Sequence, residues 1–332
     1  MEPRYFDLGD LPLLRGGLLP DARIAYAVHG TLDADGGNAV LCPSFFGGDH
    51  TGYDWLIGPG LPLDPERYFI VVPGLFGNGL SSSPSNHPAG AAFPQIMPQD
   101  NVAAQHRLLT AELGVSRLEL VAGWSMGAAH AYQWAVSHPG MVRRFAAVCG
   151  AAATSEHNKV LLDGLTTALR GGPDGGRAAG RVFAGWGASH EFWARELYRE
   201  FGFSSREDYL TGFWEAFFAG DGRTADLLAM AWTWSHADVG ATPGFGGSTE
   251  AALAGIDAEA LLLPAETDAC FAVEDELRAS RIVRHASLGV LPGPWGHLAG
   301  SGADAAARTV IGEALTRLLA ADPSRLVAVG SS

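Results

Sequence analysis

The sequence predicts an α/β protein with a mostly parallel central sheet and a helical insertion late in the chain. Three observations carry this. Short β-branched runs recur, several running straight into Gly or Pro. Helical patterns of crossover length separate several of them. The stretch 154–255 holds no strand candidate and is crowded with aromatic residues.

The runs follow in order. Residues 38–42 (NAVLC) come after Asp35-Gly36-Gly37, and 68–72 (YFIVV) lead into Pro73-Gly74. Residues 118–122 (LELVA) lead into Gly123, and 145–149 (FAAVC) into Gly150. Residues 260–263 (ALLL) lead into Pro264, and 287–291 (SLGVL) into Pro292-Gly293. Continuous apolar runs of this length suit strands buried on both faces. Residues 101–113 and 126–137 read as the helices that cross between them. Turn residues after each run mark the carboxyl edge, where open α/β sheets place their sites.

The insertion divides the chain into three parts: 1–153 as the first part of the core, 154–255 as a helical lid, and 256–332 as the second part of the core. A structureless segment of that length is implausible inside a compact domain. Its aromatics include Trp186, Trp193, Trp214, Trp232 and Trp234. Most are expected to pack the lid onto the core.

Composition narrows the partners. The chain has 332 residues, a formal charge of −14, 17% charged and 47% hydrophobic residues. Such a chain is not a disordered one. The negative balance argues against nucleic acid, which needs clustered Lys and Arg, and against an anionic membrane surface. Cys42, Cys149 and Cys270 are scattered and odd in number, so no disulfide framework or zinc spacing is expected. No signal peptide and no membrane-spanning run is visible. The expectation is a soluble cytoplasmic protein without a metal.

Chemistry concentrates at Gly123-Trp124-Ser125-Met126-Gly127, a G-x-S-x-G between a strand and a helix. The glycines let a serine occupy a sharp turn that lifts its hydroxyl clear of the sheet. A serine hydroxyl needs a base, and the base needs an acid to hold its tautomer. Asp268 lies just beyond the 260–263 strand and His297 just beyond the 287–291 strand, so both fall at the edge that carries Ser125. Glu266 comes too early in its loop, and Asp275 falls within the following helix. Among the other histidines, His50, His157 and His236 are candidates to line the cleft. The oxyanion hole is expected from the backbone amides of Met126 and Phe45, the latter in the glycine-rich loop after 38–42. Phe46, Trp124, His157, Trp186, Trp232, Trp295 and Leu298 are candidates for the substrate pocket. The glycine-rich loop 74–79 matches no phosphate-binding spacing, so no nucleotide cofactor is expected.

The sequence resembles the homoserine O-acetyltransferase-like branch of the α/β-hydrolase fold. Trp55-Leu56-Ile57-Gly58-Pro59-Gly60, Leu63-Asp64, Arg67-Tyr68-Phe69 and the loop 81–90 with Phe93-Pro94 carry this likeness. Residues 123–127, Gln133-Trp134-Ala135, His138-Pro139, Val142-Arg143-Arg144, Asp268 and Trp295-Gly296-His297 continue it. The resemblance implies an acyl-serine mechanism, a helical lid inserted between strands 6 and 7, and a homodimer formed through the lid. Two departures stand out. Homoserine-acetylating members follow the catalytic histidine with an aspartate for the substrate amine; here Leu298 follows. They also place an arginine on the first lid helix, whereas His157-Asn158-Lys159-Val160-Leu161-Leu162 offers only Lys159. Unpaired charges are costly in a closed cleft, so a zwitterionic substrate is disfavoured.

The expectation is a serine ester hydrolase for small acyl groups, acetyl foremost, with an ester or alcohol as its small-molecule partner. The alternatives are an O-acyltransferase with acetyl-CoA as co-substrate, and a non-catalytic binding protein on the same fold.

Overall fold

The structure, a computed structural model, describes residues 2–320. An antiparallel pair, β1 (Arg4–Pro12) and β2 (Leu18–His29), opens the chain ahead of the first run read from the sequence. The remaining strands are β3 (Ala39–Leu41), β4 (Phe69–Pro73), β5 (Leu120–Trp124), β6 (Arg144–Val148), β7 (Glu259–Leu263) and β8 (Ala286–Leu288). They form one eight-stranded sheet in the order β1-β2-β4-β3-β5-β6-β7-β8, and all pairs from β4 to β8 are parallel. The run expected over 287–291 is strand only to Leu288. Beyond it a Gly-Pro-rich segment leaves the ladder, touching it once more at Leu291.

Alternation along the strands sets the two faces. Val40, Ile70, Leu120, Ala146 and Leu261 enter one core, while Leu41, Val71, Val121, Phe145 and Leu262 enter the other. The second core is covered by α1 (Pro98–Arg107) and α2 (Met126–Ser137). Helix α1 starts three residues before the pattern read from sequence. Pro98 suits the first helical position, and the Asp100 carboxylate accepts from the amides of Met97 at 2.8 Å and Leu14 at 2.7 Å.

Between β6 and β7 lie α3 (Glu156–Leu169), α4 (Gly175–Gly187), α5 (His190–Ala194), α6 (Arg206–Tyr209), α7 (Ala216–Phe218), α8 (Arg223–Ser235) and α9 (Thr249–Ala254). Together they form the helical insertion over the carboxyl edge. Leu161, Leu165, Phe183, Trp214 and Trp234 bury their side chains in the first core. Helix α10 (Val273–Ile282) joins β7 to β8, and α11 (Ala305–Ala320) closes the first face with Ile311 and Leu315. The last part of the chain read as core, 321–332, lies outside the described residues. No described helix is long and apolar enough to cross a membrane.

Candidate active site

Ser125 sits between β5 and α2 with φ 58° and ψ −127°. A non-glycine residue there is strained by about 1–3 kcal/mol, and its neighbours make the turn possible. A Cβ on Gly123 would lie 2.0 Å from the Gly127 carbonyl oxygen, and one on Gly127 would lie 2.5 Å from that of Pro43. Both glycines are therefore demanded by space. The Ser125 amide donates to Val148 O at 2.9 Å, which ties the turn to β6.

The three residues expected to work together meet. His297 Nε2 lies 2.8 Å from Ser125 Oγ, and His297 Nδ1 lies 2.8 Å from Asp268 Oδ2. The Asp268 side chain is fully enclosed, and its other oxygen accepts from the amides of Cys270 at 2.7 Å and Phe271 at 3.1 Å. A carboxylate so held compels Nδ1 to donate and leaves Nε2 to accept from the serine. The Trp124 ring stacks on His297 at 5.1 Å, and its Nε1 donates to the His297 carbonyl at 3.3 Å.

The rival acids are occupied elsewhere. Glu266 is exposed and accepts from the Gly293 amide, while Asp275 pairs with Arg278. Of the other histidines, His130 is buried on α2 with Nδ1 2.7 Å from Met126 O. Burial lowers its pKa to about 4, which keeps it neutral. Asp268, Cys270 and His297 are the only described group with metal-ligand atoms mutually within 4.8 Å. Each already has a partner, Cys270 Sγ pointing to Trp186 O at 3.5 Å.

The oxyanion donors proposed from sequence lie on segments fixed from several sides. Tyr53 Oη donates to the Pro43 carbonyl at 2.8 Å and accepts from the Trp124 amide at 3.0 Å. This fully buried phenol joins the loop that carries Phe45 to the strand end that carries Ser125. Burial raises its pKa, so the hydroxyl stays protonated. The loop is held further by Arg223, which donates to Gly47 O at 2.7 Å. Sequence reasoning missed Tyr53. Its position in Thr51-Gly52-Tyr53-Asp54 carries no periodic signal.

A cavity of about 360 Å³ opens onto Ser125 and His297. Of the pocket candidates, Phe46, Trp124 and Leu298 line it. The others do not. His157 packs on Trp186 with ring centroids 4.9 Å apart, away from the cavity. Trp232 stacks on His236 and carries Arg15 over its ring. Trp295 is buried against Phe192 and Phe201 as support behind the wall. His50, offered as a cleft residue, is buried but outside the cavity lining. The walls come instead from Trp55, Phe183, Phe201, Phe213, Trp214 and Phe217. Lys159 pairs with Glu156 at 2.7 Å on the outer side of α3 and does not face the cavity.

The comparisons agree with this architecture. A family described as the alpha/beta hydrolase fold matches residues 40–264. An ethyl acetate hydrolase from Pseudomonas veronii is 37% identical over 319 residues, 90% of each chain. A solved acetylester hydrolase from Corynebacterium glutamicum superposes with a TM-score of 0.92 at 32% identity, covering 96% of each chain. A homoserine O-acetyltransferase from Thermobifida fusca is 37% identical over 174 residues, 46% of each chain. The chain belongs to the α/β hydrolase fold family, and within it to the esterases related to homoserine O-acetyltransferases.

Proposed function

We propose that this chain is a serine carboxylic-ester hydrolase for small acyl groups, acetyl foremost, acting through an acyl-serine intermediate. The observation that carries the reading is the chain of 2.8 Å contacts from Ser125 through His297 to Asp268 on a strained turn. Ser125 Oγ attacks the ester carbonyl as His297 Nε2 takes its proton. The carbonyl oxygen becomes an oxyanion held by the amides of Phe45 and Met126. His297 then protonates the departing alcohol, and water repeats the sequence to release the acid. Asp268 holds the imidazole orientation and stabilises its charged form. The reaction needs no cofactor.

Wild type is expected to react with a fluorophosphonate probe and Ser125→Ala to remain unlabelled. Ester hydrolysis by Ser125→Ala and by His297→Ala is expected to drop comparably, by roughly 10⁴–10⁶, because the triad acts as a unit. Full activity of Ser125→Ala on the esters that wild type cleaves would overturn the mechanism.

The likeness to a homoserine O-acetyltransferase supports a second reading, in which an alcohol takes the acyl group in place of water, with acetyl-CoA as co-substrate. Acetate and transferred ester, quantified with acetyl-CoA or an acetyl ester and candidate alcohols, separate the two; acetate alone eliminates transfer to those acceptors. The family resemblance also supports a homodimer assembled through the insertion, and the three free cysteines support a reducing, cytoplasmic setting. A monomer in sedimentation at micromolar concentration would remove the homodimer.

A further inference from the structure

The cavity wall bears on which alcohol the ester carries. Nine of its fifteen lining residues are Phe or Trp, and none is Lys, Arg, Asp or Glu. Apart from Ser125, His297 and the indole N–H donors of its tryptophans, the only polar side chain is Ser301, whose hydroxyl already donates to Leu298 O at 2.7 Å. A charged or polyhydroxylated alcohol would therefore lose its water with no ionic group and no free hydroxyl to replace it.

The rings are also fixed in place. A Cβ on Gly302 would lie 2.3 Å from the Trp55 ring, and one on Gly300 would lie 2.3 Å from Trp124 Cδ1. A Cβ on Gly47 would lie 2.5 Å from Phe217 Cζ, and one on Gly187 would lie 2.7 Å from the Trp214 ring. Each ring rests on backbone that has no side chain to offer. The pocket is thus shaped before any ligand enters, which lowers the ordering cost of binding.

Size sets the limit. At about 30 Å³ per non-hydrogen atom, water's own share of liquid volume, 360 Å³ holds about a dozen such atoms. An acetyl ester group uses four, leaving roughly eight for the alcohol carbon skeleton. That is a phenyl ring with one or two methylenes. Such a ring meets faces and edges of Phe and Trp, the arrangement aromatic groups favour.

We propose that the preferred substrates are acetate esters of arylalkyl alcohols, the benzyl and 2-phenylethyl class. The proposal rests on the hydrolase reading above. The bond from the acetyl carbon to the ester oxygen breaks, and the Ser125 Oγ–acetyl bond forms. The serine proton passes through His297 to the arylalkyl alcohol, and water then releases acetate.

The test is kcat/KM of the purified protein on ethyl, 2-cyclohexylethyl, 2-phenylethyl and 2-(1-naphthyl)ethyl acetates and on O-acetylserine. The 2-phenylethyl ester is expected to exceed ethyl acetate by about tenfold or more. It should exceed its saturated cyclohexyl counterpart by about two- to tenfold, the range that ring–ring contacts support. The naphthyl ester is expected to fall below it on size, and O-acetylserine to fall below ethyl acetate. Phe213→Leu and Phe217→Leu, tested separately in case one fails to fold, should each move the phenyl-to-cyclohexyl ratio toward one. Equal rates for phenyl and cyclohexyl esters, or a preference for ethyl acetate, would overturn the proposal while leaving ester hydrolysis standing. Failure on every ester would overturn the hydrolase reading instead.

Discussion

At the scale of single residues, Tyr53 shows how the reacting groups and their supports are divided. Its hydroxyl bonds to Pro43, on the loop proposed to hold the oxyanion, and to Trp124, beside the proposed nucleophile Ser125. Phe45 packs on both rings, 5.9 Å from Tyr53 and 4.4 Å from Trp124 between centroids. Tyr53→Phe keeps the ring and removes the tether, leaving a buried carbonyl and a buried amide unpaired. Deleting an oxyanion donor outright typically costs 10²–10³ in kcat, so loosening its loop is expected to cost about tenfold. KM should stay within about twofold, because the aromatic wall is retained. Steady-state kinetics on one acetate ester check this split. A trifluoromethyl ketone, which forms the tetrahedral adduct, should lose affinity in step with kcat, whereas a ground-state competitor should not.

At the scale of elements, legibility follows locality. Ser125 and Asp268 were readable because each follows the end of a short apolar strand, β5 or β7, punctuated by Gly or Pro, and His297 because it follows the run 287–291, though only the start of that run is strand. The cavity wall was not readable, because it depends on how insertion helices lie on each other. The segment Leu210–Glu215 winds as a π-helix and runs into α7, and Phe213, Trp214 and Phe217 share a face at ordinary helical spacing, but which cavity that face meets is set by packing between helices and not by the pattern itself. The opening hairpin escaped for another reason. Strand β1 is largely exposed and broken by Gly9, so it lacks a buried run. A link between elements gives a pH prediction. Glu276 on α10 is fully buried and accepts from the Tyr132 hydroxyl on α2. Burial pushes its carboxyl up to about 8, above the usual value of about 4.5 for the unfolded chain. The folded state then keeps a proton that the unfolded state has lost, so stability from this group is full below about 4.5 and fades as pH rises through about 8. Glu276→Gln keeps an acceptor for Tyr132 and has no proton to lose. Melting temperatures from pH 4 to 9 are expected to fall more steeply for wild type. The variant should gain several degrees at the alkaline end, at roughly 2–4 °C per kcal/mol. Parallel curves would show that Glu276 does not titrate in this window.

Across the whole molecule, the sheet separates reactivity from stability along its strands. Ser125, Asp268 and His297 gather at the carboxyl edge. At the opposite edge Arg144, the first residue of β6 and almost wholly buried, bonds to Glu119 just before β5 and to Glu259 at the start of β7, the latter at 2.9 Å. Arg143 reaches the other Glu119 oxygen at 3.0 Å. One guanidinium therefore ties three central strands together about five residues, or roughly 16 Å, from the nucleophile. Removing a single partner from a buried ionic cluster leaves its counter-charges unsatisfied, which typically costs 3–5 kcal/mol. Arg144→Ala is expected to lose stability on that order in urea unfolding, with both carboxylates pushed together. Arg144→Lys should recover part of it, since one ammonium cannot serve two carboxylates with the geometry of a guanidinium. The kcat/KM of the folded fraction should nonetheless remain within about twofold of wild type, because the strand ends that carry the triad are fixed by β5, β6 and β7 as rigid units. A tenfold loss of kcat/KM without a loss of stability would mean that the two edges are coupled through the sheet rather than divided by it.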